Sequence, residues 1–310
     1  MSLDASTDAL LKGIAEQNGP ALHELPVETC REVFTQLVQN LQGEVFPIHK
    51  SEDRQIDGPN GPIDIRVFTP RDTGGAKLPV LVQFHGGGWV IGDLDTHDNM
   101  CRQFANDSDV IVVAVGYRLA PEHRFPAGIE DCIAATEWVH ANAAEIGGDS
   151  SKIAVTGDSA GGNMAAIVAQ QMKGKIAFQL LIYPATDFSD TAYESREKFG
   201  NGEYFLSSED MVWFGGHLFG DRDESGNPKA SPLAAKDLAG LAPALTVTAG
   251  FDPLRDEGKA YADALSAAGV PSEYKCYDGT IHGFVSFPGA LEAGKEGMSF
   301  MAAKLKEALA

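Results

Sequence analysis

The chain has 310 residues, 44% of them hydrophobic, and a formal net charge of −20 at pH 7. That length suits one α/β domain carrying an insertion, and the apolar content is enough for a large core. The acidic excess repels phosphate backbones and anionic lipid, so nucleic acid and membrane surfaces are poor partners and none is expected.

The N-terminal stretch carries Asp4 and Asp8 and no basic segment, so no secretory signal is read and a cytoplasmic location is expected. Residues 1–42 read as helical, with Cys30, Val33, Phe34, Leu37, Val38 and Leu41 recurring at helical spacing. This amphipathic piece has no partner within its own stretch and must lie on another part of the chain.

From about residue 44 the pattern turns to strands. Ile63, Ile65 and Val67 alternate on one face, and residues 78–84 form a mostly apolar run ending at His85-Gly86-Gly87-Gly88-Trp89. Residues 96–106 read as a polar helix, 110–115 as an apolar strand, 117–122 as a loop and 126–144 as a long helix. A short buried strand at 153–155 meets Gly157-Asp158-Ser159-Ala160-Gly161, and residues 164–172 then read as a helix of small and apolar side chains. Residues 176–183 are a further apolar strand. Strands alternating with helices of this length imply crossover connections and a mostly parallel sheet. No apolar run reaches the length of a membrane-spanning helix, which excludes stable membrane insertion of that kind.

Residues 185–230 break the rhythm. Phe188, Tyr193, Phe199, Tyr204, Phe205, Trp213, Phe214 and Phe219 crowd into this segment, and Ser207 or Ser208 is placed to cap a helix running toward His217. The segment either packs on the sheet as an ordinary helical layer or forms a lid over an apolar pocket; the second reading is preferred. The α/β rhythm returns with a strand at 245–248, a helix at 257–268 stopped by Gly269 and Pro271, a last strand at 273–277 and a final helix at 290–308. Cys30, Cys101, Cys132 and Cys276 are scattered without a C-x-x-C spacing and read as reduced thiols.

The chemistry-bearing residues sit where the predicted strands end. Gly157-x-Ser159-x-Gly161 between a strand and a helix has the context of a nucleophile elbow, a turn sharp enough to lift the serine hydroxyl over the sheet edge. By composition this pattern would occur about 0.2 times by chance, so it does not decide the matter by itself. A serine nucleophile needs a base, and the base needs an acid to hold its tautomer. His282 and Asp252 each follow a strand, and the order Ser159…Asp252…His282 is that of α/β-hydrolase triads. Asp256, one helical turn beyond Asp252, is the rival acid. His85-Gly86-Gly87-Gly88 supplies close-approaching backbone N–H groups for an oxyanion, and by chance would occur only about 0.01 times. No phosphate-binding glycine motif and no H-E-x-x-H is present, and the serine chemistry calls for no cofactor or metal.

With these residues in view, the chain resembles the bacterial hormone-sensitive-lipase-like carboxylesterases of the α/β-hydrolase superfamily. The resemblance rests on HGGGW at 85–89, YRLAPE at 117–122, GDSAGGN at 157–163, DPLRDEG at 252–258 and HGF at 282–284, and runs from about residue 45 to the end. It implies an α/β-hydrolase fold with a mostly parallel sheet flanked by helices. The core would span 45–184 and 231–310, and a two-part helical cap would be formed by 1–44 and 185–230. It further implies Ser159 as nucleophile, His282 as base, Asp252 as its partner, and an oxyanion hole from the N–H groups of Gly87, Gly88 and Ala160. His85 and Asp158 would be structural. The expected function is hydrolysis of short-acyl carboxylic esters through an acyl-enzyme, with a small ester as partner and a homodimer admitted. The alternatives are a non-catalytic small-molecule receptor on the same fold and a hydrolase of an amide or acetylated compound.

Overall fold

In the computed structural model, which describes residues 2–310, eight strands form one sheet: β1 (Lys50–Gly58), β2 (Gly61–Thr69), β3 (Leu78–Phe84), β4 (Ile111–Gly116), β5 (Gly148–Asp158), β6 (Phe178–Ile182), β7 (Ala244–Phe251) and β8 (Ser272–Ile281). Their spatial order is β1-β2-β4-β3-β5-β6-β7-β8. From β4 to β8 every pairing is parallel; β1 and β2 join antiparallel at one edge. The mostly parallel sheet expected from the alternation of strands and helices is present. β1 is the edge strand, and Lys50, Glu52, Asp53 and Arg54 give it the charged character that keeps an open edge from pairing with another chain.

The central strands are apolar on both faces because helices cover both. Val80, Val82 and Phe84 of β3 face one core with α4 (Ala127–Asn142), α5 (Ala160–Gln171) and α8 (Arg255–Ala267). Leu81, one residue out of phase, faces the other core with α3 (Asp98–Ser108) and α9 (Glu292–Ala308). The same alternation runs through β4, with Val113 and Val115 on the first face and Val112 and Ala114 on the second. α5 is buried along nearly its whole length; its small residues let it lie deep between the sheet and α4.

The sheet has its topological switch at β3, which is flanked by β4 on one side and β5 on the other. The loops leaving β3 and β5 therefore diverge and open a crevice at the carboxyl edge, where ligands bind in sheets of this kind.

Several expected elements differ in extent. The strand feeding the elbow runs through all of Gly148–Asp158, and α5 begins at Ala160, directly after the serine. The polar segment at 96–106 is indeed a helix, α3, but most of it is buried: Asn99, Gln103 and Ser108 lie inside with Met100, Cys101 and Phe104. Residues 1–42 hold α1 (Ala5–Gln17), a 3-10 turn at Leu22–Glu24 and α2 (Val27–Leu41). α1 rests on β8, where the Asp4 N–H donates to Gly279 O at 2.9 Å and the Thr7 and Thr280 hydroxyls meet at 3.0 Å. The 185–230 segment holds α6 (Glu194–Phe199) and α7 (Ser208–Phe219). Ser207 caps α7: its hydroxyl accepts from the Asp210 N–H at 2.9 Å, while the Asp210 carboxylate accepts from the Ser207 N–H.

Candidate active site

Ser159 stands between β5 and α5 at φ 57° and ψ −117°, a strained conformation for a residue with a Cβ. Its neighbours explain how the turn closes. A Cβ on Gly161 would sit 2.0 Å from Phe84 O, and one on Gly157 would sit 2.3 Å from Gly161 O. Only glycine fits at both places, which is the physical content of the G-x-S-x-G spacing. The Ser159 N–H donates to Ile182 O at 2.9 Å, tying the elbow to the end of β6.

His282 follows β8 and Asp252 follows β7, as expected. His282 Nε2 lies 2.9 Å from Ser159 Oγ, and His282 Nδ1 lies 2.8 Å from Asp252 Oδ2. Asp252 is fully buried, and its other oxygen accepts the Leu254 N–H at 2.8 Å, so its plane is fixed. With Nδ1–H pointing at the carboxylate, the Nε2 lone pair faces the serine hydroxyl. Asp256, the rival acid, is engaged elsewhere: it accepts the Ser195 N–H at 2.8 Å and Arg255 Nε at 2.8 Å. The Tyr183 ring packs 4.6 Å from the His282 ring and supports it from the β6 side.

The loop after β3 carries Gly87 at φ 114° and Gly88 at φ 58°. A Cβ on Gly87 would lie 2.1 Å from Ile91 O, and one on Gly88 would lie 2.2 Å from the Phe214 ring of α7. Among the described residues, the N–H groups of Gly87, Gly88 and Ala160 find no acceptor in the chain. Such donors suit an anion forming beside Ser159 Oγ, and the N-terminus of α5 favours the same sign of charge.

A buried polar cluster lies beneath this loop. Asp158 Oδ1 accepts the Gly86 N–H at 3.0 Å and lies 3.0 Å from His97 Nε2. Burial works to raise the Asp158 carboxyl, but the bonded His97, with His85 and His282 nearby, holds it below the usual carboxylate range. His85 Nδ1 bonds Gly86 O at 2.8 Å, and its ring stacks on Tyr117 with centroids 4.2 Å apart. Burial, with His97 adding to it, pushes His85 down to about 4, so His85 is neutral at pH 7. Its place is inside the loop, away from the serine. His97 carries no motif in the sequence; its membership of this cluster follows from the burial of α3's first turn.

The aromatic segment divides its side chains. Phe199 and Tyr204 pack on Phe251, and Phe205 on Phe287, over the sheet end. Phe188 and Phe219 meet at 4.9 Å and, with Trp89, Phe125, Ile129 and Met164, line a narrow pocket that is partly open to solvent. That pocket lies one turn along α5 from Ser159 and does not include the serine itself. Some aromatic side chains of the segment thus pack on the sheet, and others line this pocket. Asn163, on the same turn of α5, donates to Ala185 O at 2.9 Å and to Ala230 O at 2.7 Å, the two ends of the segment. Glu257 of α8 accepts the Thr186 N–H at 2.7 Å and pairs with Arg196 of α6. His23, from the N-terminal helices, meets Asp210 of α7 at 2.9 Å. The sequence offers no spacing that would announce these three anchors, because each joins segments distant in the chain.

Fold and site together define a hydrolase of the α/β class. A family model described as the α/β hydrolase fold matches residues 81–286, and the chain belongs to that family, in its hormone-sensitive-lipase-like bacterial branch. The chain is 46% identical over 244 residues to carboxylic ester hydrolase LipN of Mycobacterium tuberculosis, a match spanning 76% of this chain and 64% of LipN. It therefore spans just under two thirds of LipN's length. It is 42% identical over 297 residues to carboxylesterase NlhH of the same species, covering 91% of this chain and 90% of NlhH. Among solved structures it is similar to a hyperthermophilic esterase from the archaeon Pyrobaculum calidifontis, with a TM-score of 0.93, 43% identity and 100% of both chains covered.

Proposed function

We infer that this protein is a serine carboxylesterase that hydrolyses small, short-acyl esters through an acyl-enzyme. The observation that carries the reading is the hydrogen-bond chain from Ser159 Oγ through His282 to Asp252 at the ends of β5, β8 and β7. In this reading His282 Nε2 takes the Ser159 proton as Oγ attacks the ester carbonyl carbon. The negative charge on the former carbonyl oxygen is met by the N–H groups of Gly87, Gly88 and Ala160. The tetrahedral adduct collapses, the C–O bond to the alcohol breaks, and His282 returns its proton to the leaving alcohol. Water enters, loses a proton to His282, attacks the acyl carbon and releases the acid, while Ser159 regains its proton. Asp252 holds the imidazole in the needed tautomer and stabilises its charged form.

The short-acyl preference is carried by the family resemblance, with the aromatic side chains of residues 185–230 packed beside the site. Residues 1–44 and 185–230 are read as one two-part cap, joined through His23 and Asp210. We place the protein in the cytoplasm, acting as a monomer or a homodimer. No described helix is long and apolar enough to cross a membrane. Curated relatives named as ester hydrolases weigh against a purely binding role.

The test is hydrolysis of p-nitrophenyl esters of increasing acyl length by the parent and by Ser159→Ala. Turnover peaking at short chains in the parent, with loss of essentially all of it in the folded variant, is the expected result. Retained turnover in Ser159→Ala removes the serine from its assigned role.

A further inference from the structure

We propose that His97 and Asp158 form a second, buried acid–histidine pair whose task is to position the oxyanion-binding loop. They would be positioning residues for the reaction, distinct from the Asp252–His282 pair that handles the proton. The proposal rests on the serine-esterase reading above.

The geometry that carries it is compact. Asp158 is the residue immediately before Ser159, and Gly86 immediately precedes Gly87 and Gly88. The two backbones are joined by one oxygen: Asp158 Oδ1 accepts the Gly86 N–H at 3.0 Å. A Cβ on Gly86 would lie 2.3 Å from Asp158 Oδ2, so the glycine lets the loop backbone press directly on the carboxylate. The same Oδ1 lies 3.0 Å from His97 Nε2. Gly86 N is also 3.2 Å from that nitrogen. A carboxylate held in its ionised form has only lone pairs to offer, so Nε2 carries the hydrogen and donates to Asp158, and the Gly86 N–H is directed to the carboxylate. His97 Nδ1 lies 3.0 Å from the Thr96 hydroxyl, which accepts the Asp93 N–H at 2.9 Å and shares its one hydrogen between Nδ1 and Asp93 O, also at 2.9 Å. The chain Asp93–Thr96–His97–Asp158–Gly86 thus ties the later part of the loop connecting β3 to α3 back to its start. His97 is 1% exposed and Asp158 4% exposed, so water does not compete for these bonds.

The pair meets neither Ser159 Oγ nor the acid–base histidine by hydrogen bond, yet it fixes the amide plane one residue before the oxyanion donors. Donors placed for a transition-state charge act only when their direction is held in advance, because a misplacement of a few tenths of an ångström weakens them against the tetrahedral oxyanion while leaving ground-state binding largely intact. Loss of the pair should therefore lower kcat far more than it alters KM.

The decisive variant is His97→Leu, which removes the donor, compared with His97→Gln, whose amide nitrogen reaches the place of Nε2. Expected for His97→Leu is a kcat lower by roughly 10- to 100-fold with KM within threefold of the parent, and an affinity for a trifluoromethyl-ketone oxyanion mimic lower in the same proportion. The pH at half-maximal kcat/KM should stay where it is in the parent, because His282 keeps its partners. His97→Gln should recover most of the loss. If His97→Leu does not fold, Thr96→Val, which frees His97 Nδ1 without stranding a carboxylate, should lower kcat and mimic affinity together by several-fold. A folded His97→Leu or Thr96→Val with parental kcat, or with lowered kcat but unchanged affinity for the mimic, overturns the proposal. Absence of turnover in the parent would instead overturn the esterase reading, so the two failures are distinguishable.

Discussion

Asp252 and Asp256 lie one helical turn apart in the sequence, and at the scale of single residues their separation is what assigns the acid. Asp252 Oδ2 reaches His282 at 2.8 Å, whereas Asp256 is taken by Ser195 and Arg255. The difference gives a sharp expectation. Asp252→Asn keeps the shape but favours the wrong histidine tautomer, so kcat/KM should fall by about 10³- to 10⁴-fold. Asp256→Asn should leave kcat/KM within a few-fold and lower the melting temperature instead, since its partners hold α6 against α8. Equal losses in the two variants would contradict the assignment. Steady-state kinetics and thermal unfolding on the same preparations separate the two effects.

At the scale of elements, the 185–230 segment is held by its roots. Asn163 of α5 donates both of its amide hydrogens, one to Ala185 O and one to Ala230 O, while buried at 2% exposure. Asn163→Ala leaves two buried carbonyl groups without donors, each expected to destabilise by about 1–3 kcal/mol. Because both carbonyls belong to the segment's ends, faster amide exchange in α6 and α7 should accompany the loss, with exchange in β5 and β7 little changed. Uniform acceleration across the sheet would mean that Asn163 serves the core and not the segment. The Arg196–Glu257 pair should moderate the effect. Burial raises the Glu257 carboxyl to about 7 against the pull of Arg196, so the folded chain holds this proton more firmly than the unfolded one, and the stability contributed at this position falls as pH rises from about 4.5 toward 7.

For the whole molecule, acid sensitivity follows from buried histidine. His85 is lowered from 6.5 to about 4 by burial and by His97. Between those two values the unfolded chain binds a proton at this position and the folded chain does not, so stability rises with pH across the window and is lost as pH falls through it. The shift corresponds to roughly 3 kcal/mol in total. The half-buried His217, also lowered by burial, acts in the same direction. The raised Glu257 carboxyl acts in the opposite direction over much of the same window, so the part due to His85 is read by chemical denaturation at pH 7.5 and pH 5 of the parent beside a His85 variant. His85→Asn should start from a lower stability at pH 7.5 and lose distinctly less on going to pH 5. An unchanged slope would place the acid sensitivity in other groups.

The sequence by itself determined the elements and the order of their chemistry. Period-two runs such as Ile63-x-Ile65-x-Val67 and fully apolar runs such as residues 110–115 specify strands because side-chain alternation is a local property. Gly157, Gly161 and the glycines at 86–88 marked the elbow and the loop because backbone approach closer than a Cβ permits leaves glycine as the only residue that fits. Only the tertiary structure decided which side chains those backbones grip. His97 lay unnoticed in a segment that reads as polar, since helical periodicity does not reveal that α3's first turn is enclosed against the site. Asn163, Glu257 and Arg196 likewise gained their partners from contacts between distant segments. Hydrogen bonds across such separations depend on how the sheet's crossovers bring strand ends together, and that arrangement is a property of the packed chain rather than of any short stretch within it.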